Sequence, residues 1–463
     1  MEKCRYSARC GGCNSIGTEY RDTLTSKNAY MKKLLGQFCR VEPIIGAEKP
    51  YFYRNKVNAN FGRTKNGNIL AGTYESNSHR IVDVEKCFLN NERADAIIRT
   101  IASLMKSFKY EPYNEDTGRG MVRHVLVRTA HATGEVMVTL VLGTNVFPSK
   151  NNFIRALLKE CPYITTIVMN VNNRRTSMIL GDREQTIYGR GYIVDELCGC
   201  RFKISPKSFY QVNSEQTEIL YNIAMEYADI KGHEKIIDAY SGIGTIGIVA
   251  ASMGAGEVVG IELNEDAVRD ALINIKYNDC KNIKYIQGDA TDFIFKEAKK
   301  NSSYDIVFMD PPRSGSTNKF IDSVAKLAPS KVVYISCNPE TLARDVKYFA
   351  HKGYKMIKCQ PVDMFPWTEK VETVCLLSKL HEAKHHVRVK LDMDEMDLTS
   401  AESKATYEEI KKYVAEHNDG MKASSLNIAQ VKAKYGIIER ENYNKAKSEE
   451  ARTYKRRTVR GDI

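Results

Sequence analysis

Residues 235–247 read KIIDAYSGIGTIG. Residues 235–239 make a short, largely apolar run of strand length, and Gly242, Gly244 and Gly247 then space a G-x-G-x-x-G turn that opens a helix. Glycines in such a turn let the backbone pass close to a ligand, and the helix start offers unpaired amides. Residues 258–262 form the next strand and end in Glu262, a carboxylate placed to accept both hydroxyls of a ribose. A third strand over 283–287 is followed by Asp289, which can take an adenine amino group. Strand and helix alternate from Cys200 onward, which predicts an α/β, Rossmann-like domain over residues 201–380. Taken alone, this turn suits NAD as well as S-adenosylmethionine.

Two stretches downstream separate these cofactors. Residues 307–315, VFMDPPRSG, end a strand in Asp310 and two prolines. Residues 332–345, VVYISCNPETLARD, end another strand at Ser336 and deliver Cys337 onto a turn closed by Asn338 and Pro339, where a helix begins. Free cysteine is usually a small buried core residue. Here, however, a thiol, an acid and the further carboxylate of residues 365–372, FPWTEKVE, are expected at one sheet edge. No hydride site built on His, Lys or Tyr accompanies them. The set suits activation of a poor carbon nucleophile such as uracil C5. Thiolate addition at C6 makes C5 nucleophilic toward a methyl sulfonium, and a base then removes the C5 proton so that the thiol can leave. That chemistry needs one Cys and one Glu.

At the other end, residues 4–13, CRYSARCGGC, space Cys4, Cys10 and Cys13 as C-x5-C-x2-C. Clustered exposed thiols without a ligand are a liability, and Gly11 and Gly12 let backbone fold around a shared ion or cluster. The fourth ligand is expected at Cys87, with Cys39 as the alternative, in either an iron–sulfur cluster or a structural zinc site. Between the two ends, residues 20–39 and 88–108 have helical periodicity, and 51–60, YFYRNKVNAN, mixes groups that stack on bases and grip phosphates. Strands are predicted at 124–128, 135–142, 164–171 and 178–180, with a helix near 152–160, giving an α+β insertion domain. His124 is expected on a strand surface and His131 in a loop.

The chain has 463 residues, 43% hydrophobic and 27% charged, enough for two or three domains of globular type. A net charge of +12 favours a polyanionic partner. Twelve cysteines are too sparse for a disulfide scaffold, and Cys4 leaves no room for a signal peptide after Met1, so a reduced cytoplasmic protein without a membrane span is expected.

Residues 1–380 resemble the RNA (uracil-5-)-methyltransferases, in particular the branch that carries an iron–sulfur cluster and methylates 23S ribosomal RNA. The matching stretches are FYQVN (209–213), DAYSGIGTIG (238–247), GIELNEDAVRDA (260–271), DPPRSG (310–315), SCNPETLARD (336–345) and DMFPWTEKVETV (363–374). The resemblance implies Cys337 as nucleophile and Glu372 as general base. It implies Gln211, Tyr240, Glu262 and Asp310 at S-adenosylmethionine, alongside Asp289, Gly242 and Gly244. It also implies a [4Fe-4S] cluster on Cys4, Cys10, Cys13 and Cys87, with Arg344 at the flipped base or its phosphate. The expected organisation is a cysteine-cluster region over 1–90, an RNA-binding insertion domain over 91–200, the methyltransferase domain over 201–380 and a helical extension over 381–463. A monomer acting on RNA is expected.

Two departures qualify the match. Many members place a β-barrel ahead of the cluster, and residues beyond Leu380 lie outside the family core. The transfer-RNA branch lacks the barrel and the cluster alike, which keeps ribosomal RNA ahead. RNA cytosine-5 methyltransferases carry a Cys just after the Pro of the acid–proline motif, where this chain has Arg313 nearby. In the extension, helices are predicted at 403–418 and 426–435, a pair resembling a helix-turn-helix unit, before a basic tail.

Overall fold

The computed structural model describes residues 3–75 and 78–380, with 411, 412, 415 and 416 beyond them. Residues up to Leu380 fall in one compact unit and the remainder in another. In the second unit the four described positions are helical; the other features expected there lie outside the described residues.

The chain opens with the cysteine segment and α1 (Tyr20–Leu35). Then come β1 (Lys56–Arg63), β2 (Ile69–Tyr74), β3 (Ile81–Asp83), α2 (Glu92–Ser107), β4 (Val122–Thr129), β5 (Val136–Leu142), α3 (Lys150–Glu160), β6 (Thr166–Val171) and β7 (Arg183–Tyr188). Their seven strands form one central sheet in the order β3-β2-β1-β4-β5-β6-β7, so residues 56–83 share a sheet with the expected insertion domain, across the boundary placed at 90. One face of this sheet is apolar. Val57, Ala59, Val125, Val127, Val138 and Leu140 pack there with Ile97, Ile101 and Met105 of α2 and Phe153 and Leu157 of α3. Alternation along a strand sends the intervening residues to the opposite face.

Two expectations change in this region. Residues 178–180 form no strand; the Asn172 amide donates to the carbonyls of Met178 and Ile179, and the Gly181 N–H goes to Asn170 Oδ1, so side chains take the backbone groups a ladder would need. His124 is buried rather than on a surface. It lies on β4, between β1 and β5, with Nδ1 2.6 Å from Asn60 Oδ1, and burial pulls its pKa down to about 4.

A hairpin of β8 (Ile193–Leu197) and β9 (Cys200–Ile204) leads into the second large layer. This comprises α4 (Ser214–Ala228), β10 (Lys235–Ala239), α5 (Thr245–Ser252), β11 (Glu257–Glu262), α6 (Glu265–Tyr277), β12 (Ile283–Gln287), α7 (Ala290–Lys299), β13 (Ile306–Met309), α8 (Asn318–Leu327), β14 (Lys331–Ser336), α9 (Pro339–His351), β15 (Tyr354–Val362) and β16 (Glu372–Lys379). The strand order is β12-β11-β10-β13-β14-β16-β15. The first five run parallel, and β16 enters antiparallel between β14 and β15. Apolar residues on both faces explain why β13 and β14 read as continuous hydrophobic runs. The strand order reverses beside β10, where a parallel sheet opens a crevice at its carboxyl edge. No helix among the described residues is long and apolar enough to cross a membrane.

Candidate active site

Each strand of the parallel part ends in a residue aimed at that crevice. After β10 comes Tyr240, held at φ +63°, and the turn of Gly242 and Gly244. A Cβ on Gly244 would stand 2.4 Å from the Tyr285 hydroxyl, so only glycine fits. β11 ends in Glu262, whose two carboxylate oxygens accept the amides of Gly242 and Asn264, each at 2.8 Å. That fixes the acid beside the glycine turn. Asp289, after β12, caps α7 by accepting the Asp292 N–H at 3.1 Å. Tyr240 stacks on Phe320, with ring centroids 5.3 Å apart, and burial pushes its pKa up to about 12. Gln211 is buried on the segment ahead of α4, where the Asn55 amide donates to its carbonyl at 2.9 Å.

The thiol and the carboxylates meet at β13, β14 and β16. Ser336 pairs with Thr373 in the antiparallel ladder, so Cys337 and Glu372 stand one step beyond that rung. Asn338 caps α9 and its side-chain amide donates to the Arg313 carbonyl at 3.1 Å, tying the cysteine turn to the loop after Asp310. Asp345 reinforces the tie, accepting the Ser316 N–H and the Tyr334 hydroxyl on one oxygen, each at 2.7 Å. Arg344, expected at the substrate, also braces this loop: it donates to Asp345 and to the carbonyls of Ser314 and Ser316.

The electrostatics are those of clustered acidic groups, with Glu372 buried and Asp310 and Cys337 half-buried. Glu372 is 2% exposed, its Oε2 has no hydrogen-bond partner, and burial followed by the Asp310 charge holds its pKa well above the carboxylate range. Burial raises Asp310 to about 7. Cys337 is raised to about 11 by burial, then by Glu372 and Asp310, while Arg313 opposes the shift. Such a thiol is inert until a cation or substrate changes its surroundings. Arg313 and Lys370 are the cations that act on Glu372, and the sequence reading passed over both as chemistry although each lies inside a quoted motif. Asp238, beneath the glycine turn, was also missed. It is fully buried, accepts the Gly247 N–H at 2.8 Å, and is pushed by burial to about 8.

The loop that carries Glu372 is held by the opposite end of the chain. The N–H groups of Asn14 and Ser15 both donate to the Trp367 carbonyl, and the Trp367 indole donates to the Pro50 carbonyl at 2.8 Å. The Tyr53 hydroxyl reaches the Pro366 carbonyl at 3.0 Å, and Lys27 forms a buried ion pair with Asp363. Trp367 sits at φ +66°, an unusual backbone for a bulky residue, between Tyr20 and Tyr51.

Just ahead of Asn14, the thiols of Cys4, Cys10, Cys13 and Cys87 line one cavity of about 130 Å³. Burial, then Cys87, Cys4 and Cys10, raise Cys13 to about 11. No group of three or more His, Cys, Asp or Glu among the described residues stands in metal-holding geometry. Cys39, the alternative fourth ligand, does not line that cavity and packs against the core that contains Cys359 and Cys375.

The tRNA (uracil-5-)-methyltransferase family model matches residues 19–380. An uncharacterized RNA methyltransferase of Caldanaerobacter subterraneus subsp. tengcongensis is 40% identical over 384 residues, 81% of this chain and 84% of that one. One from Clostridium tetani is 38% identical over 385 residues, 82% of this chain and 83% of its own length. Among solved structures, the Pyrococcus abyssi tRNA (uracil-54, C5)-methyltransferase in complex with S-adenosyl-L-homocysteine superposes with a TM-score of 0.67 at 29% identity, covering 79% of this chain and 86% of that one. This chain therefore belongs to the tRNA (uracil-5-)-methyltransferase family, the S-adenosylmethionine-dependent enzymes that methylate uracil in RNA.

Proposed function

We propose that the chain methylates C5 of a uridine in 23S ribosomal RNA through a covalent bond between Cys337 and C6 of the base. The observation that carries this reading is the meeting of Cys337 and Glu372 beside Asp310, at the crevice edge that also holds Glu262 and the glycine turn. In this scheme the extruded uridine lies against Cys337. The thiolate adds to C6, and the electrons pushed to C5 and O4 let C5 take the methyl group from the sulfonium, leaving S-adenosylhomocysteine. Glu372, as carboxylate, takes the C5 proton, and elimination restores the thiolate and releases 5-methyluridine. Arg313 and Lys370 favour the charged forms that these steps need. Glu262 holds the ribose, Asp289 the adenine, and Gln211, Tyr240, Gly242, Gly244 and Asp310 the rest of the cofactor.

The four-thiol cavity fits a [4Fe-4S] cluster by its donors, since Cys4, Cys10, Cys13 and Cys87 all line it and no histidine does. When bound, the cluster supplies a structural anchor for the segment that continues into Asn14 and Ser15. The expected boundary at 90 moves to the start of β1, so the proposed division of labour is a cysteine-cluster segment ahead of β1, which Cys87 rejoins, an RNA-binding region built on the sheet of β1 to β7, and the methyltransferase region over 201–380, in a monomer acting in the cytoplasm. A brown, anaerobically purified protein with cluster-type absorbance supports iron, and a colourless zinc protein overturns it.

The same chemistry on a transfer-RNA uridine is the second reading, favoured by the printed substrate of the Pyrococcus abyssi enzyme. Mass mapping of 5-methyluridine in RNA from cells with and without the gene separates the two. Loss from 23S ribosomal RNA is expected, loss from transfer RNA alone selects the second reading, and no loss in either overturns both.

A further inference from the structure

Folding removes three lysine or arginine side chains from solvent almost completely among the described residues: Lys27, Arg123 and Arg128. Lys27 meets Asp363, and Arg123 meets Glu115. Among the described residues Arg128 meets no carboxylate. One of its terminal nitrogens donates to the carbonyls of Pro206 and Ser208, and its Nε, in a residue 3% exposed, has no partner among them.

A second cation stands beside it. Lys56 on β1 is the direct cross-strand partner of Arg128 on β4, so both side chains rise from the polar face of the central sheet. Lys56 is half-buried and makes no hydrogen bond or ion pair with the described residues. Burial, then the Arg128 charge, pull its pKa down to about 8. Like charges directly opposite on neighbouring strands destabilise a sheet, and an unmatched buried cation is costlier still. Asn58, next along β1 on the same face, adds an Oδ1 without a partner.

The location suggests what completes the pair. Pro206 and Ser208 lead directly into Phe209, which is 65% exposed, and Gln211. Asn55 and Thr129, each next in sequence to one of the two cations, continue the tie: the Thr129 N–H donates to the Asn55 carbonyl and the Asn55 N–H to Val212. The cations thus flank the segment that enters the cofactor crevice. Lys56 also borders the cysteine cavity, but the cation that acts on Cys13 is Arg54.

We propose that Lys56 and Arg128 form a binding site for one phosphodiester of the RNA substrate, on the strand that leads the target uridine to the crevice. This rests on the RNA-methyltransferase reading and adds to it a contact on the central sheet. The phosphate neutralises the pair, supplying a negative charge directly across the β1–β4 ladder where two cations stand side by side.

The test uses the full chain and a fluorescein-labelled RNA stem-loop with uridines in its loop, with binding measured across a series of salt concentrations. Lys56→Met is expected to weaken binding about tenfold at low salt and to reduce the slope of log affinity against log salt by about one. It is also expected to leave the melting temperature unchanged or higher, because it removes a repulsion. Arg128→Lys, which keeps the charge, should retain the wild-type slope. An unchanged slope in Lys56→Met overturns the site, and an unchanged slope with a lowered melting temperature assigns the pair to structure alone. Methyl transfer by the wild-type chain is scored separately, so its absence would count against the functional reading without altering the slope comparison.

Discussion

The two seven-stranded sheets solve different problems with similar material. In the catalytic sheet both faces are apolar and covered, and the candidate site groups gather at the carboxyl ends of β10 to β14 and the start of the antiparallel β16. In the central sheet one face is apolar, while the other carries Lys56, Asn60, His124 and Arg128 across neighbouring strands. Strand ends concentrate reactive groups at a line, where loops can adjust them. On the central sheet the polar groups are gathered across strands and largely covered, Asn60, His124 and Arg128 being buried and Lys56 half-buried. An edge thus brings reactive groups together within one loop and helix start, whereas a sheet face brings them together only through strand register.

Several measurements would break or sharpen this contrast. The largest effect belongs to the edge: Cys337→Ala should lower methyl transfer from labelled S-adenosylmethionine to RNA by at least about a thousandfold while cofactor binding persists. Activity within tenfold of wild type would remove the thiol from the chemistry. Glu372→Gln should slow turnover by about a hundredfold or more and accumulate a covalent protein–RNA band on a denaturing gel. In the wild type, turnover should rise with pH, because burial raises both the Glu372 carboxyl and the Cys337 thiol and the proposed steps use their charged forms.

Stability separates the sheets next. Lys27→Met leaves the buried Asp363 carboxylate without its cation, with only the Tyr20 hydroxyl among the described residues donating to it, and should cost about 3–5 kcal/mol in denaturant unfolding. Lys56→Met, on the unmatched pair, should cost none. Equal losses would erase the distinction between matched and unmatched cations. The smallest effect concerns Asp238. Its folded pKa of about 8 lies above the ordinary carboxylate value, so its contribution is full below about pH 4 and is lost as pH rises through about 8. Melting temperatures of Asp238→Asn should lack that decline, a difference of about 1–3 kcal/mol across the window.

The same contrast explains what could be read from the residues alone. The catalytic edge is contiguous in sequence: a strand end, its turn and the helix start fall within about ten residues, so DPPRSG and SCNPETLARD announce themselves. The polar face is assembled from single residues on separate strands. Lys56 and Arg128 lie in adjacent positions only through the β1–β4 register, which no local pattern encodes. His124 was placed on a surface because alternation along one strand does not say that other elements cover both faces. The strand expected at 178–180 failed because Asn170 and Asn172 captured its backbone groups, a competition between side chain and ladder that hydrophobic runs do not reveal. Lys370 was quoted yet passed over, since its influence on Glu372 appears only once the loop is folded.

The clasp between Trp367 and residues 14 and 15 has a consequence for how the enzyme comes into being. Its partners are separated by more than 350 residues of chain, so a ribosome must make nearly the whole catalytic unit before the clasp can close. Contacts between such distant positions form late and slowly. The cysteine segment therefore stays unclasped until the strands of both sheets have been made. A nascent chain halted short of Glu372 lacks β16, the strand that joins β14 to β15, and with it the pairing that sets Glu372 beside Cys337.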